Sequence, residues 1–435
     1  MKIKRYLACL VLIIAVLSTG FSNASSSFKC SNVGHLQFYT SPSVEAPSGI
    51  ISAVNEFIEY RYEYLAFRTQ PSSYRSIVSN KSIVARNFFE IENALLYAEM
   101  ASQKTNGIEC SYADYNLEAN YSSIETNASK TSAEVIVSVT CNFRYRISPE
   151  INSAKGNIYI LNLEKNADVW EITNRKNTTF FDSIVWEINE ERTLSKANII
   201  KERCIANAKA YADNTMGYDG SVIEQVSDTF STAALTSSNY TYFSSSKRSA
   251  AAATARNYVA ASGVSGTTYT YTYPESQYAQ NGSDCTNFVS FCLNYGGGIP
   301  QDRVGTYQWY PGRSWWTNVD KFYSYLMGTK SETEKGIVAS VHYSGTTYPS
   351  AIVLRSLPLA SIVQFSSKPS NENDWTHSAI VTYSLESGIT YVCMHSAYGW
   401  NSQCLLSEFY YDEYVYNTNS NGTGIRLIDI EGYYA

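Results

Sequence analysis

The chain has 435 residues, too many for one ordinary hydrophobic core, so we expect two domains. A hydrophobic content of 44% indicates folded, globular material. With 33 basic and 39 acidic residues the net charge is −6, which argues against nucleic-acid binding because that function needs basic patches.

The N-terminus has the layout of an export signal. Basic residues at positions 2, 4 and 5 precede an apolar run from Leu7 to Leu17, and small residues at positions 22–24 suit a cleavage site. The apolar run is only about 11 residues long, too short to cross a bilayer. We therefore predict a signal peptide over residues 1–24, a secreted protein and no stable membrane anchor.

Residues 25–212 predict a small α+β domain. Apolar residues recur at helical spacing over 53–65 and 85–102, and the period then changes to two in a series of alternating stretches. Those stretches are 115–124, 133–148, 156–163 and 169–174, and a helix over 195–211 follows them. The order is similar to the cystatin-like or nuclear-transport-factor-like fold. We find no catalytic constellation in this domain and predict a binding, spacing or inhibitory role.

The second domain is predicted over residues 248–435. Residues 213–247 are rich in Ser, Thr, Asn, Gly and Tyr and are predicted to be a linker. An alanine-rich stretch from Lys247 to Val259 then predicts the helix that opens the domain.

Cys285 is the candidate nucleophile of this second domain. Ser283 or Asp284 is expected to be the N-cap of a helix of about three turns, which the glycines at 296–298 would end. In the first turn the helix dipole favours the thiolate, so we expect a lowered pKa at Cys285. The alternative is a buried core cysteine that happens to lie near a cap.

Two histidines follow on a predicted hairpin whose turn is at 385–388. Antiparallel pairing across that turn puts His377 opposite His395 or Ser396, within reach of an imidazole–imidazole hydrogen bond, although a one-residue slip would move His395 to the other face. The alternatives are a surface role for His377 and a sheet-filling role for His395. Asp374 and Asn401 are the other polar groups that could orient His377.

From about residue 248 to the C-terminus the chain resembles the putative amidase domain family, a branch of the papain-like cysteine hydrolases found in exported bacterial proteins. The string D-C-T-N-F-V-S at 284–290 carries the resemblance, with W-T-H-S-A-I-V at 375–381 after it and S-W-W-T-N-V at 314–319 between the two. The resemblance implies a papain-like fold, in which a nucleophile helix packs on a twisted antiparallel sheet that carries the base.

The resemblance also implies a mechanism without a cofactor or a metal. Cys285 would attack an amide or peptide carbonyl and His377 would take the thiol proton, while His395 matches the third position, which orients the imidazole. The backbone N–H of Cys285 would stabilise the oxyanion, with Gln280 or Tyr278 as the second donor. Family analogy points to cell-wall peptides, and thus peptidoglycan, as the substrate.

Two other functions stay open on the sequence. The papain-like domain could be catalytically silent, in a protein that only binds surfaces. The same Cys/His site could also be that of an acyltransferase, in which an amine rather than water captures the acyl-enzyme.

Overall fold

The computed structural model describes residues 35–40, 47–105, 109–176, 191–216, 239–265, 268–279, 284–304, 307–328, 336–366, 375–395, 402–410 and 424–434. The predicted signal peptide and most of the predicted linker lie outside these ranges. So do five residues considered above: Gln280, Ser283, Asp374, Ser396 and Asn401.

The fold is mixed α+β, as predicted. Its helices within the described ranges are α1 (Ser48–Phe67), α2 (Tyr74–Ser79), α3 (Ile83–Thr105), α4 (Leu194–Met216), α5 (Ser245–Tyr258), α6 (Cys285–Phe291), α7 (Ser314–Thr317), α8 (Val319–Met327), α9 (Ala351–Arg355) and α10 (Leu406–Phe409). A π-helical turn, Cys292–Gly296, continues α6. None of the helices in the described ranges is both long and apolar enough to cross a bilayer.

The strands follow the alternating segments of the sequence. They are β1 (His35–Thr40), β2 (Tyr112–Thr126), β3 (Ser132–Tyr145), β4 (Ser148–Asn166), β5 (Val169–Arg175), β6 (Tyr240–Tyr242), β7 (Gly263–Ser265), β8 (Thr268–Thr270), β9 (Gly336–Gly345), β10 (Ile362–Ser366), β11 (Trp375–Ser384), β12 (Thr390–Met394), β13 (Ser402–Leu405) and β14 (Gly424–Tyr434). The predicted hairpin corresponds to β11 and β12, which pair antiparallel.

One sheet runs through both halves of the described chain. Its order is β1-β2-β3-β4-β13-β12-β11-β10-β14-β6, with β5 also paired to β4 and β9 also paired to β14. The halves join where Gln403 of β13 pairs with Ala154 of β4. The described parts of residues 34–435 form one compact unit. The division into domains at residues 212 and 248 stays a prediction.

Strand alternation divides the core around β11 into two clusters. Phe365, Ala379 and Val381 face the first cluster, which also contains the apolar residues of α1 and of strands β2–β5. Ile362 and Ile380 face the second, which α5, α6, α7 and α8 complete. Each residue of β11 therefore has its side chain either toward the N-terminal half or toward the predicted nucleophile helix.

The predicted helix over Cys285–Tyr295 is present as α6 and the π-helical turn together, and the glycines that follow it act as expected. Gly298 has φ +68°, the left-handed conformation that favours glycine. A Cβ at Gly296 would lie 2.4 Å from the hydroxyl oxygen of Thr254 in α5. The absence of a side chain therefore lets α5 pack closely on the end of the predicted nucleophile helix.

Candidate active site

Asp284 stands at the N-cap of α6, as predicted, but its carboxylate does not cap the helix backbone. Its carbonyl accepts the first helical hydrogen bond, from Phe288 N–H at 2.8 Å. The carboxylate instead accepts from the Asn287 side chain at 2.7 Å and lies 2.7 Å from His395 Nδ1. The prediction that a side-chain oxygen of Asp284 caps α6 was therefore wrong, because this carboxylate contacts other side chains.

Cys285 is the first residue of α6, and 6% of its surface is exposed. Burial raises its pKa, while hydrogen bonds from the backbone N–H groups of Ser378 and Thr286 act in the opposite direction. The predicted lowering of this pKa by the helix dipole was wrong, because removal from water penalises the thiolate more than the nearby donors favour it. The resting thiol is therefore protonated near neutral pH.

His377 lies near the start of β11 and is 8% exposed. Its ring centroid lies 5.4 Å from that of Phe409 and 6.2 Å from that of Phe365. Its Nε2 is buried and has no hydrogen-bond partner. Desolvation lowers the pKa of His377 to about 3, so the imidazole is neutral at neutral pH.

Ser378 follows His377 in β11 and contacts the start of α6, where Cys285 lies. Its backbone N–H donates to Cys285 Sγ, and its hydroxyl lies 3.1 Å from that of Thr286 in α6. The thiol thus lies beside the peptide unit that follows His377. Strand alternation points Ser378 toward α6 and His377 toward Phe365 and Phe409. Within the described residues no hydrogen bond joins the thiol to the imidazole.

A β-bulge lies beside His377. The pairs of β10 with β11 run regularly to Phe365↔His377 and then shift to Ser366↔Trp375, which leaves Thr376 as the extra residue. Bulges redirect side chains and are over-represented next to active sites. The backbone around His377 is therefore irregular at the point where the sequence predicts a reactive group.

His395 is fully buried and contacts α6 rather than His377. Its Nδ1 lies 2.7 Å from Asp284 Oδ2, and its Nε2 donates to the carbonyl of Tyr258 at 2.8 Å. The ring is stacked between Tyr271 and Phe288, with centroids at 3.6 and 3.8 Å. Both ring nitrogens therefore lie within hydrogen-bond distance of an oxygen atom.

The register of the hairpin explains this position. β11 and β12 pair at Ile380↔Cys393, which brings His395 level with Ser378 on the α6 side. The predicted contact between the two imidazoles is accordingly absent from the described residues. Ser396, the other residue expected opposite His377, lies outside them.

Polar groups that the sequence did not single out complete the Asp284 contacts. The Tyr273 hydroxyl donates to Asp284 Oδ2 at 2.5 Å, and Trp316 Nε1 donates to Asn287 Oδ1 at 2.6 Å. Asn287 lies three residues after Asp284, and this helical spacing was the one available signal. Tyr273 comes from a short connection that no periodicity marks.

The hydroxyl of Tyr278, which was predicted as a second oxyanion donor, has a different hydrogen-bond partner. It donates to the Asn294 side chain at 2.7 Å, near the end of the helix. The other candidate for that role, Gln280, lies outside the described residues. Among the described residues no group of three or more His, Cys, Asp or Glu side chains could hold a metal ion.

Comparison with known families agrees with the motifs. Residues 245–417 match the family model described as the putative amidase domain, a span that contains Cys285, His377 and His395. The chain has no significant match among curated proteins or among solved structures. The match over residues 245–417 indicates a putative amidase domain, and thus amidase-type hydrolysis, in this part of the chain.

Proposed function

We propose that the protein is a secreted, cysteine-dependent amidase or peptidase in which Cys285 is the nucleophile and His377 the base. One observation carries the proposal: a buried thiol at the start of a helix hydrogen-bonds the backbone N–H that follows a buried, neutral histidine. The family match supports hydrolysis of an amide as the reaction.

The proposed reaction begins from a neutral pair. As Sγ forms a bond to the substrate carbonyl carbon, the S–H proton passes to His377 and the carbonyl π electrons move to its oxygen. The imidazolium then gives that proton to the leaving amine as the C–N bond breaks. Water then attacks the thioester carbon as His377 takes a proton from it. The C–S bond breaks and the imidazolium returns the proton to Sγ, so the products are a carboxylic acid and the free thiol.

This chemistry requires the imidazole to approach Sγ from its resting position against Phe409. Catalytic hydrogen bonds are often long or misaligned without substrate, and tighten when substrate binds. The bulge at Thr376 and the unpartnered Nε2 of His377 support such a movement, because no hydrogen bond has to break at Nε2.

His395 is proposed to act on Cys285 through Asp284 rather than through His377. The His395–Asp284 contact fixes the residue that precedes the nucleophile, so both are positioning residues in this proposal. The third catalytic position that the sequence assigned to His395 stays a prediction.

The substrate is proposed to be an amide in cell-wall peptides, reached after export directed by residues 1–24. Whole cell-wall digests should therefore release new fragments with wild-type protein, and mass spectrometry should detect them. Cys285→Ala should release none. Cys292→Ala is the matched control because Cys292 is a free, buried thiol seven residues along the same helix, and it should cleave like wild type.

If Cys285→Ala and wild type release equal amounts of the new fragments, Cys285 is not the nucleophile. Two further results would point to the other functions. Wild-type protein that binds cell wall but releases no fragments would favour a catalytically silent surface-binding protein. New amine adducts in the presence of an added amine would indicate an acyltransferase.

A further inference from the structure

Arg426 is a buried cation at the same end of the sheet as His377. It is 4% exposed and lies on β14, the strand next to β10. Its Cζ lies 3.5 Å from the ring centroid of Tyr323 and 3.9 Å from that of Trp375. Two aromatic rings this close hold the guanidinium by cation–π and stacking contacts.

The hydrogen bonding of this guanidinium is incomplete. Its Nε donates to Gln364 Oε1 at 2.7 Å, whereas Nη2 is buried and has no partner. No carboxylate of the described residues forms an ion pair with Arg426. Burial lowers its pKa to about 10, against the opposing influence of Tyr323 and Asp320. A buried charge without a counter-ion costs folding free energy, so a protein retains one where a ligand supplies the anion.

A row of polar side chains connects Arg426 with the candidate nucleophile. Arg426 pairs with Gln364, and Gln364 pairs with Ser378, on three neighbouring strands. Gln364 Nε2 donates to the Ser378 hydroxyl at 3.2 Å, and the Ser378 N–H donates to Cys285 Sγ. Two strand spacings put the backbone of Arg426 roughly 10 Å from that of Ser378. Arg426 therefore lies two strands from Ser378, on the face of the sheet that packs on α6.

We propose that Arg426 is a specificity-determining residue that binds a carboxylate of the substrate close to the scissile amide. The rings of Tyr323 and Trp375 leave only the edge of the guanidinium plane for a ligand, which suits a planar carboxylate better than a tetrahedral phosphate. Both rings are partly exposed, so a shift of either one opens that edge. The inference rests on the proposed function and narrows its substrates to amides with a neighbouring carboxylate.

The test uses two matched thiol reagents on the full chain. N-iodoacetylglycine carries a carboxylate one residue from its reactive carbon, and N-iodoacetylglycinamide carries a neutral amide in the same place. Alkylation of Cys285 is followed by peptide mass spectrometry, and the ratio of the two rates is divided by the same ratio for glutathione. A charge-assisted hydrogen bond predicts a preference of about tenfold for the carboxylate in wild type.

Substitutions at Arg426 test whether this residue causes the preference for the carboxylate reagent. Arg426→Met should bring the normalised ratio to about one, and Arg426→Lys, which keeps the charge without the planar fork, should keep part of it. A normalised ratio near one in wild type, or an unchanged preference in Arg426→Met, would overturn the proposal.

A second measurement does not need a reactive thiol. N-acetylglycine should raise the melting temperature of Cys285→Ala more than N-acetylglycinamide does, because a bound ligand stabilises the folded state, and Arg426→Met in that background should lose the difference. Equal shifts from both compounds would contradict the carboxylate site. If neither reagent alkylates Cys285 but N-acetylglycine still raises the melting temperature more than N-acetylglycinamide, the proposed mechanism is wrong and the carboxylate-binding site is supported.

Discussion

At the scale of single residues, the protonation states of Cys285 and His377 follow from burial. Desolvation raises the pKa of the thiol and lowers that of the imidazole to about 3, so both groups are neutral at neutral pH. A neutral imidazole is the form that a general base needs. The thiolate that the helix dipole suggested from the sequence is not the resting form of Cys285, because the thiol lies away from water.

The buried imidazole predicts a loss of stability in acid. The unfolded chain takes up a proton near the ordinary pKa of 6.5, whereas folded His377 does so only near 3, so the free energy of unfolding falls as the pH falls between these values. At 1.36 kcal/mol per pKa unit the loss is at most roughly 5 kcal/mol. Urea unfolding at pH 7 and pH 4 should show a smaller loss for His377→Gln than for wild type.

The same substitution at His342, a partly exposed histidine bonded to Ser356, controls for removal of a histidine as such. An equal loss of stability in wild type and His377→Gln would show that His377 is not held neutral by the fold.

At the scale of the elements, the start of α6 is fixed by side chains that come from separate parts of the chain. Asp284 brings together Asn287 of the same helix, Tyr273 of the preceding connection and His395 after β12. We infer that these contacts hold the nucleophile more firmly than a helix cap alone would.

A double-mutant cycle of Asp284→Asn and His395→Gln measures the central contact. Because the two side chains are buried and 2.7 Å apart, we expect a coupling energy of about 2 kcal/mol in the free energy of unfolding. Each single variant should also slow alkylation of Cys285. Additive losses from the two single variants would mean that the 2.7 Å contact contributes nothing to stability.

At the scale of the whole molecule, a buried carboxylate ties the amidase part to the N-terminal half. Glu408 of α10 is fully buried and accepts from Lys155 Nζ at 3.2 Å, and Arg68 and Tyr145 also donate to it. Burial raises the pKa of this carboxyl, but the charges of Lys155 and Arg68 hold it below its usual range. The next residue, Phe409, packs on His377.

Glu408→Gln should therefore destabilise the whole described unit. It leaves two cations without their shared anion, and loss of one partner of a buried pair costs about 3–5 kcal/mol. Glu134→Gln, which removes an exposed pair with Lys176, is the matched control and should cost less than about 1 kcal/mol. Urea unfolding monitored by tryptophan fluorescence compares the two variants. Equal small losses would contradict the role given to Glu408.

The sequence predicted what depends on local periodicity. The spacing of apolar residues predicted the positions of several elements. These are the helices α1, α3, α4 and α5, the strands of the N-terminal meander and the β11–β12 hairpin. The sequence did not predict the strand pairing at Gln403↔Ala154 or the partner of His395. These contacts join residues more than 100 positions apart, and no local pattern encodes such a pairing. The roles that the family motif gives to Cys285 and His377 stay predictions.

The most direct test of the account is the rate at which iodoacetamide alkylates Cys285 near neutral pH, in wild type and in His377→Ala. A thiol with a raised pKa is slow by itself, so rapid, stoichiometric labelling requires the neighbouring base. We expect such labelling of Cys285 in wild type, loss of it in His377→Ala, and no labelling of Cys292 in either folded protein. Labelling of Cys285 at the same rate in both proteins would contradict the pairing of this thiol with His377.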